Sequence, residues 1–136
     1  MNPRYPFVSA RARHACEYCR APEIVFNLAF EVEHITPQSL GGTAMEDNLA
    51  LSCRSCNLYK ADFLWGLDTV SQAESRLFNP RRDAWQEHFL LVEETGEIRG
   101  LTAVGRATIS RLRINSEAQV SARKQWLLVV GLLKQS

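Results

Sequence analysis

Two Cys-x-x-Cys pairs constrain this chain of 136 residues more than any other feature. Cys16 and Cys19 form the first pair, and Cys53 and Cys56 form the second. This spacing lets both sulfurs of one turn reach the same tetrahedral ion, and four thiolates in one small domain are typical of a structural zinc site. Because no apolar signal core precedes the first pair, metal thiolates explain the four cysteines better than two disulfides do.

Polar residues with metal-binding and acid–base chemistry lie between and just after the two pairs. They are Glu33, His34, Asn48, Asn57 and Lys60. Carboxylate and amide oxygens suit a hard divalent ion such as Mg²⁺, and an imidazole, which titrates near ~6.5 when unperturbed, accepts a proton from water at neutral pH. Lys60 follows Asn57 by three residues, on the same face of a helix, where it would reach a phosphate. The cysteines therefore indicate structure, and the residues between them indicate catalysis.

Composition and charge are ordinary for a soluble protein. The chain is 46% hydrophobic and 23% charged, and its net charge of +1 gives no global argument for nucleic acid. The basic residues are unevenly distributed, however, and local patches of arginine can bind phosphate while acids elsewhere cancel the sum. The longest apolar run, 126–133, is too short to span a bilayer, so we expect a cytoplasmic protein with no membrane partner.

The hydrophobic pattern predicts an α+β protein without repeats. Strand-like alternation and turn residues divide it into a domain at 1–66, which carries the motif, and an accessory segment at 67–136 built from a hairpin and helices. Helices are expected at 7–15, 54–64, 105–114 and 116–133, a helical turn at 84–89, strands at 28–35, 49–52, 89–94 and 98–103, and irregular structure at 66–83. Because neighbouring residues on a strand point to opposite faces, the first strand must end or distort at Glu33-His34 if both side chains line one site.

The ordered pattern C-x2-C, Glu-His-Ile-x-Pro, Gly-Gly, Asn-Leu, C-x2-C-Asn-x2-Lys resembles the HNH endonucleases over about residues 14–64. The resemblance implies a small ββα-metal core, also called the His-Me finger, clamped by zinc. The three positions that name the family fall on His34, Asn48 and Asn57, which is the HNN variety. Residues 79–85 are similar to an extension found in a bacterial branch of the family. No site residue is taken from that second resemblance.

The resemblance implies a nuclease that hydrolyses phosphodiester bonds in DNA, leaving 3′-hydroxyl and 5′-phosphate ends. His34 would activate the water, Glu33 and Asn57 would hold Mg²⁺ or Mn²⁺, and Asn48 would brace the loop that orients His34. Arg54 and Lys60 are predicted to contact DNA. A double-strand cutter with one site would need two copies, so a homodimer or a larger nuclease assembly is a further expectation.

Two other classes of function fit part of the pattern. The first is a zinc-dependent module that binds nucleic acid without cleaving it, and the second is a rubredoxin-like electron carrier with iron in the thiolate site. A pure binder has no need of Glu33, His34, Asn48 and Asn57 together, which favours the nuclease. Iron would colour the purified protein.

Overall fold

The computed structural model describes residues 1–135, with side chains through residue 132. Five α-helices are present in this range: α1 (Tyr5–Arg11), α2 (Arg54–Lys60), α3 (Trp85–His88), α4 (Ala103–Leu112) and α5 (Glu117–Gln135). Six strands accompany them: β1 (Glu31–His34), β2 (Leu49–Ser52), β3 (Trp65–Leu67), β4 (Glu74–Arg76), β5 (Phe89–Val92) and β6 (Glu97–Gly100). The strands form three antiparallel pairs, β1–β2, β3–β4 and β5–β6. The predicted α+β class is confirmed.

The hairpin of β1 and β2, followed by α2, is the ββα unit that carries the motif. Glu33 pairs with Ala50 and His34 with Leu49 in the antiparallel register. The second strand begins and ends where it was predicted, but β1 starts three residues later than predicted. Asn27 adopts a left-handed conformation with φ 54° at the end of a 3-10 helix, and this turn delays the strand.

Helix α2 begins at the second cysteine pair and ends earlier than predicted. The Cys53 sulfur accepts a hydrogen bond from the Cys56 backbone N–H, which caps the first turn. The predicted helix extended to residue 64, whereas α2 ends at Lys60, because Ala61 adopts φ 45° and ψ −130°, which no helix accommodates. Asp62 therefore leaves the helix direction directly after the motif.

The β3–β4 hairpin replaces the irregular structure expected at 66–83. Its three-residue strands bury Gly66 and expose Trp65 and Leu67, so the sequence contains no alternating apolar pattern for it. Gly66 packs directly on α4, since a Cβ there would lie 2.5 Å from the Ala107 carbonyl oxygen. The lack of a side chain at Gly66 is what lets the hairpin approach the helix.

The C-terminal part follows the predicted order of hairpin, helix and helix. Thr102 Oγ1 accepts a hydrogen bond from the Gly105 N–H at 3.0 Å and caps α4. The buried Arg123 of α5 donates to the carbonyl oxygens of Gly96 (2.8 Å) and Ile114 (2.9 Å), which fastens α5 to both preceding turns. No helix in the described part of the chain is long and apolar enough to cross a membrane.

One hydrophobic core includes residues from both halves of the chain. The Trp85 indole N–H donates to the Tyr18 carbonyl oxygen at 2.9 Å, and the Tyr18 and Phe78 rings meet edge to face at 6.3 Å. Arg81 forms an ion pair with Glu17. The division of the chain at residue 66 therefore stays a prediction, since these contacts cross it.

The packing of Gly66 on α4 leads to a stability prediction. Gly66→Ala should lower the free energy of unfolding by about 1–3 kcal/mol, because the added methyl group meets backbone atoms that cannot move aside. Gly131→Ala is the matched control, since a Cβ there meets nothing within 4 Å, and it should stabilise helix α5 by up to about 1 kcal/mol. Urea unfolding of both variants tests this, and equal effects would contradict it.

Candidate functional site

The four cysteine sulfurs form a compact buried cluster. All four lie within 4.8 Å of one another, and the Cys19 and Cys53 sulfurs are 3.7 Å apart. Four thiolates at about 2.3 Å from a tetrahedral zinc ion would be separated by about 3.8 Å, so the cluster fits that ion. The separation is too long for a disulfide bond. The cluster has the geometry of a structural metal site.

Hydrogen bonds within the cluster shift the pKa of its thiols. Burial opposes the change at Cys16, but hydrogen bonds from the other three cysteines lower its pKa. Hydrogen bonds among the thiols, together with burial, raise the pKa of Cys19 and Cys56 well above the ordinary value. A divalent ion would displace these protons and stabilise the thiolates. The backbone N–H groups of Cys19 and Cys56 point at the sulfurs of Cys16 and Cys53, at 3.5 and 3.4 Å. Both turns are therefore preformed for metal ligation.

The first cysteine turn is attached to β2 by Glu17, which the sequence analysis did not single out. The Glu17 N–H donates to the Leu51 carbonyl oxygen, and the Leu51 N–H donates to the Glu17 carboxylate, both at 2.9 Å. The same carboxylate pairs with Arg81. Nothing in the sequence distinguishes this buried glutamate from a surface one, because its partners are distant along the chain.

The carboxylate of Glu33 is buried at the end of β1 and engaged by two side chains. Tyr18 donates a hydrogen bond from its hydroxyl to Oε1, and the Lys60 ammonium lies 3.2 Å from Oε2. Burial raises the pKa of Glu33, while the Lys60 charge and the hydrogen bond from Tyr18 oppose that rise. Glu33 is thus held in one orientation. Tyr18 was not predicted to take part, because only the fold brings it to Glu33.

Lys60 does not take the surface position that was expected of it. Its side chain is buried, and its ammonium donates to the Ile35 carbonyl oxygen at 2.9 Å and contacts that of His34 at 3.5 Å, besides pairing with Glu33. Asn57 and Lys60 do lie three residues apart on α2, but Lys60 packs against β1 and is closed to solvent, whereas Asn57 is half-buried. The predicted phosphate contact of Lys60 is therefore replaced by a structural role. Arg54, in the first turn of α2, is exposed.

His34 lies in a polar cleft of about 460 Å³ between β1 and the end of α2. Its neighbours there include Glu33, Asn57 and Asp62. His34 is the last residue of β1, and both it and Glu33 line the cleft. The buried His34 Nε2 has no hydrogen-bond partner among the described residues. A buried ring nitrogen without a partner needs an explanation, and a bound water or ion at the edge of the cleft is one.

Asn48 holds the loop that follows His34. Its Oδ1 accepts from the Thr36 N–H at 2.9 Å, and its Nδ2 donates to the carbonyl oxygens of Thr36 (3.0 Å) and Thr43 (2.8 Å). Its own carbonyl oxygen accepts from the Ile35 N–H at 2.9 Å. Gly42 closes the loop, where any Cβ would collide with the Thr36 carbonyl group. These are the contacts that a bracing role requires.

Asn57 is half-buried on α2, and its amide nitrogen donates to the carboxylate of Glu31. That bond orients the side chain and leaves the amide oxygen as its second polar group. Glu31 precedes Glu33 by two residues on β1, so the two carboxylates share one face of the strand. The i, i+2 spacing of Glu31 and Glu33 is the feature of the sequence that indicates Glu31 as a neighbour of the site.

Comparison with known families identifies the ββα unit. Residues 16–63 match the family model described as HNH endonuclease. Residues 16–63 are an HNH domain. The family expected from the sequence is therefore confirmed for this part of the chain, which contains the four cysteines, His34, Asn48 and Asn57. No curated protein and no solved structure matched the chain.

The cleft of the HNH domain contains one carboxylate that the sequence analysis did not predict. Asp62 is exposed and lines the cleft together with His34 and Asn57. A continuous helix through residue 64 would carry Asp62 further along the helix axis. The end of α2 at Lys60 and the unusual backbone of Ala61 place it at the cleft instead.

The thiolate cluster predicts that the HNH domain depends on its metal for folding. Cys53→Ser should lose zinc and unfold the domain, because structural zinc contributes on the order of 10–16 kcal/mol in small zinc peptides, as much as a whole domain's stability. Zinc content and thermal unfolding are the measurements, with Ser55→Ala in the same turn as the control. A Cys53→Ser protein as stable as the parent would contradict the assignment.

The buried ion pair predicts that Glu33 and Lys60 are energetically coupled. Glu33→Gln leaves the Lys60 ammonium without its counter-charge, which should cost roughly 3–5 kcal/mol of unfolding free energy, and Lys60→Met should cost a similar amount. The double variant Glu33→Gln/Lys60→Met should recover much of the loss, since no lone charge remains. A double-mutant cycle measured by urea unfolding checks the coupling. Strictly additive losses would show that the pair is not coupled.

Proposed function

We propose that this chain is a metal-dependent DNA endonuclease that hydrolyses phosphodiester bonds at the cleft of its HNH domain. The observation that carries the proposal is the position of His34, which lines a polar cleft with Glu33 and Asn57 and whose Nε2 is buried without a hydrogen-bond partner among the described residues. A core histidine would be expected to have a hydrogen-bond partner, whereas a general base must keep one nitrogen free for its water.

In this mechanism His34 takes a proton from the water that attacks the scissile phosphorus. The backbone around it is fixed from both sides, because Lys60 contacts the His34 carbonyl oxygen and Asn48 accepts the Ile35 N–H. Holding the base in one geometry lowers the entropic cost of reaching the transition state, and this accelerates the reaction. Lys60 and Asn48 are positioning residues in this account.

A divalent ion, Mg²⁺ or Mn²⁺, would be held by Glu33 and Asn57. The donor set fits: one carboxylate and one amide oxygen leave room for waters and for substrate phosphate. When bound, the ion supplies charge stabilisation at the phosphate and at the leaving oxygen. An ionised carboxylate has about four acceptor sites, so the bonds from Tyr18 and Lys60 do not exhaust Glu33. Glu31 fixes the amide of Asn57.

The thiolate metal takes no part in the chemistry proposed here. Its four ligands are all buried cysteines, which completes a tetrahedral shell and leaves no position for water. Its role is to hold the first turn, β2 and α2 together around the cleft. Chelation strong enough to remove it would therefore abolish activity through loss of the fold, whereas mild chelation would remove only the second ion.

A non-cleaving module that binds nucleic acid is the second candidate. The observation in its favour is that both oxygens of Glu33 already have partners, an arrangement that also serves structure alone. The two candidates differ in one measurable property, since only the nuclease converts supercoiled plasmid to nicked or linear forms.

The test is plasmid cleavage with purified protein, with and without added Mg²⁺ or Mn²⁺. His34→Ala should reduce the rate by about 10²–10⁴, because removal of a general base typically costs this much. The parental rate should also fall as pH is lowered, since a protonated imidazole cannot accept a proton.

His14→Ala is the matched control, because the His14 side chain is 59% exposed and pairs with Glu23 away from the cleft. It should retain parental activity. Thermal unfolding and zinc content of both variants establish that the fold is intact. If His34→Ala keeps more than about a tenth of the rate, the base lies elsewhere; if no protein cleaves under any metal, the binding module is favoured.

A further inference from the structure

We propose that a groove next to the cleft binds an unpaired DNA strand, with Trp65 as the stacking surface for a base. We call this the Trp65 groove and define it by Thr36, Trp65, Arg76, Asn79 and Arg82. Its volume is about 450 Å³. The proposal deepens the nuclease assignment and rests on it for the identity of the ligand.

The Trp65 groove and the catalytic cleft flank the same stretch of backbone. His34 and Pro37 line the cleft, while Ile35 and Thr36, which lie between them in the chain, line the groove. The opposite wall of the groove comes from the β3–β4 hairpin and from the segment that follows it. A nucleic-acid strand positioned at His34 therefore needs to cross only this stretch of backbone to enter the groove.

Trp65 is exposed in a way that the other tryptophans are not. Its exposed fraction is 54%, compared with 8% for Trp85 and 7% for Trp126. The hairpin enforces this exposure, because Gly66 packs on α4 and its strand neighbours point to the other face. A large exposed ring lining a groove provides the platform on which unpaired bases stack.

The charges of the Trp65 groove suit phosphate. Lys60 and Asp83 also line the groove. Arg76 is paired with Asp83 through two hydrogen bonds of 2.8 and 3.0 Å, and Lys60 is paired with Glu33. Arg82 is exposed and forms no salt bridge within the described part of the chain. The charged residues that line the groove therefore leave one uncompensated positive charge, which attracts a phosphate group.

Two arginines at the C-terminal end of α4 lie on aromatic rings. The Arg111 guanidinium lies 3.8 Å from the centroid of the Phe63 ring and donates to the Trp65 carbonyl oxygen, and the Arg113 guanidinium lies 4.5 Å from the centroid of the Tyr59 ring. Stacking on a ring orders an arginine without cancelling its charge. The surface at Trp65 thus combines aromatic rings with the charge of Arg111, the pattern used for single strands.

The size of the groove favours an unpaired strand over a duplex. Its volume lies in the range of sites that hold one small molecule, which suits a single nucleotide better than a double helix. A base can stack on Trp65 only after it has left its own helix. We therefore expect DNA with a single-stranded or distorted segment beside the cleaved bond to bind best.

Tryptophan fluorescence tests the proposal at the groove itself, because Trp65 is the one tryptophan accessible to solvent. In the His34→Ala protein, which prevents cleavage, a short oligothymidine should quench the emission of Trp65 and protect it from acrylamide. A duplex of equal length should do so less. Trp65→Ala should weaken binding of oligothymidine roughly 5- to 150-fold, measured by anisotropy of labelled DNA, while Trp65→Phe should retain most of the affinity.

Salt dependence provides a second, charge-based readout. Arg82→Gln should reduce the slope of log K against log salt by about 0.7, the value for one phosphate contact on a single strand. Arg99→Gln removes the same charge from the exposed face of β6 and should leave the slope unchanged. Equal slopes for the two variants would count against a phosphate at Arg82.

Three results would overturn the proposal. The first is an unchanged affinity of Trp65→Ala for oligothymidine, and the second is tighter binding of the duplex than of oligothymidine while Trp65 stays accessible to acrylamide. The third is protection of Trp65 from acrylamide when only the protein concentration is raised, which would show a second copy of the chain in the groove. Failure of the nuclease assignment is a separate result. Binding of oligothymidine that depends on Trp65, without plasmid cleavage under any metal, would support the groove and remove the catalytic role.

Discussion

The convergence of four cysteine sulfurs is the constraint on which the rest of the structure depends. Cys19 and Cys53 are 34 positions apart in the chain, and their sulfurs are 3.7 Å apart. The two strands of the ββα unit are only four residues long and form a single two-stranded pair, which is marginal by itself. A metal bound at the cluster would supply the long-range link that so little sheet cannot. The shape of the cleft therefore depends on metal coordination more than on the pairing of these short strands.

Tyr18 connects the cysteine cluster to the cleft and to the C-terminal part of the chain. It lies between Cys16 and Cys19, its hydroxyl holds Glu33, its carbonyl oxygen accepts from Trp85, and its ring packs on Phe78. One residue of the first cysteine turn thus touches the cleft and the C-terminal part of the chain. A disturbance at the metal site would reach the carboxylate of Glu33 through a single side chain.

The sequence predicts those parts of this molecule whose chemistry depends on short spacings. The cysteine pairs, the second strand, the end of β1 at Glu33-His34 and the HNH family all follow from residues close together in the chain. The β3–β4 hairpin does not, because Gly66 packs by lacking a side chain and leaves no hydrophobic pattern. The burial of Lys60 could not be predicted for a related reason. Its spacing from Asn57 indicates a helix face, but only the packing of α2 on β1 shows that this lysine is buried.

The backbone of Ala61 has a consequence for how the cleft and the groove relate. With φ 45° and ψ −130°, this alanine occupies a conformation that glycine adopts much more readily, at a cost of about 1–3 kcal/mol. The strain lies at the junction from which α2 turns toward Asp62 and then toward Trp65. A strained residue keeps its conformation only where the surrounding structure holds it, so the packing on both sides of Ala61 fixes the direction of α2 relative to the β3–β4 hairpin. The relative placement of cleft and groove therefore depends on contacts made before and after this alanine.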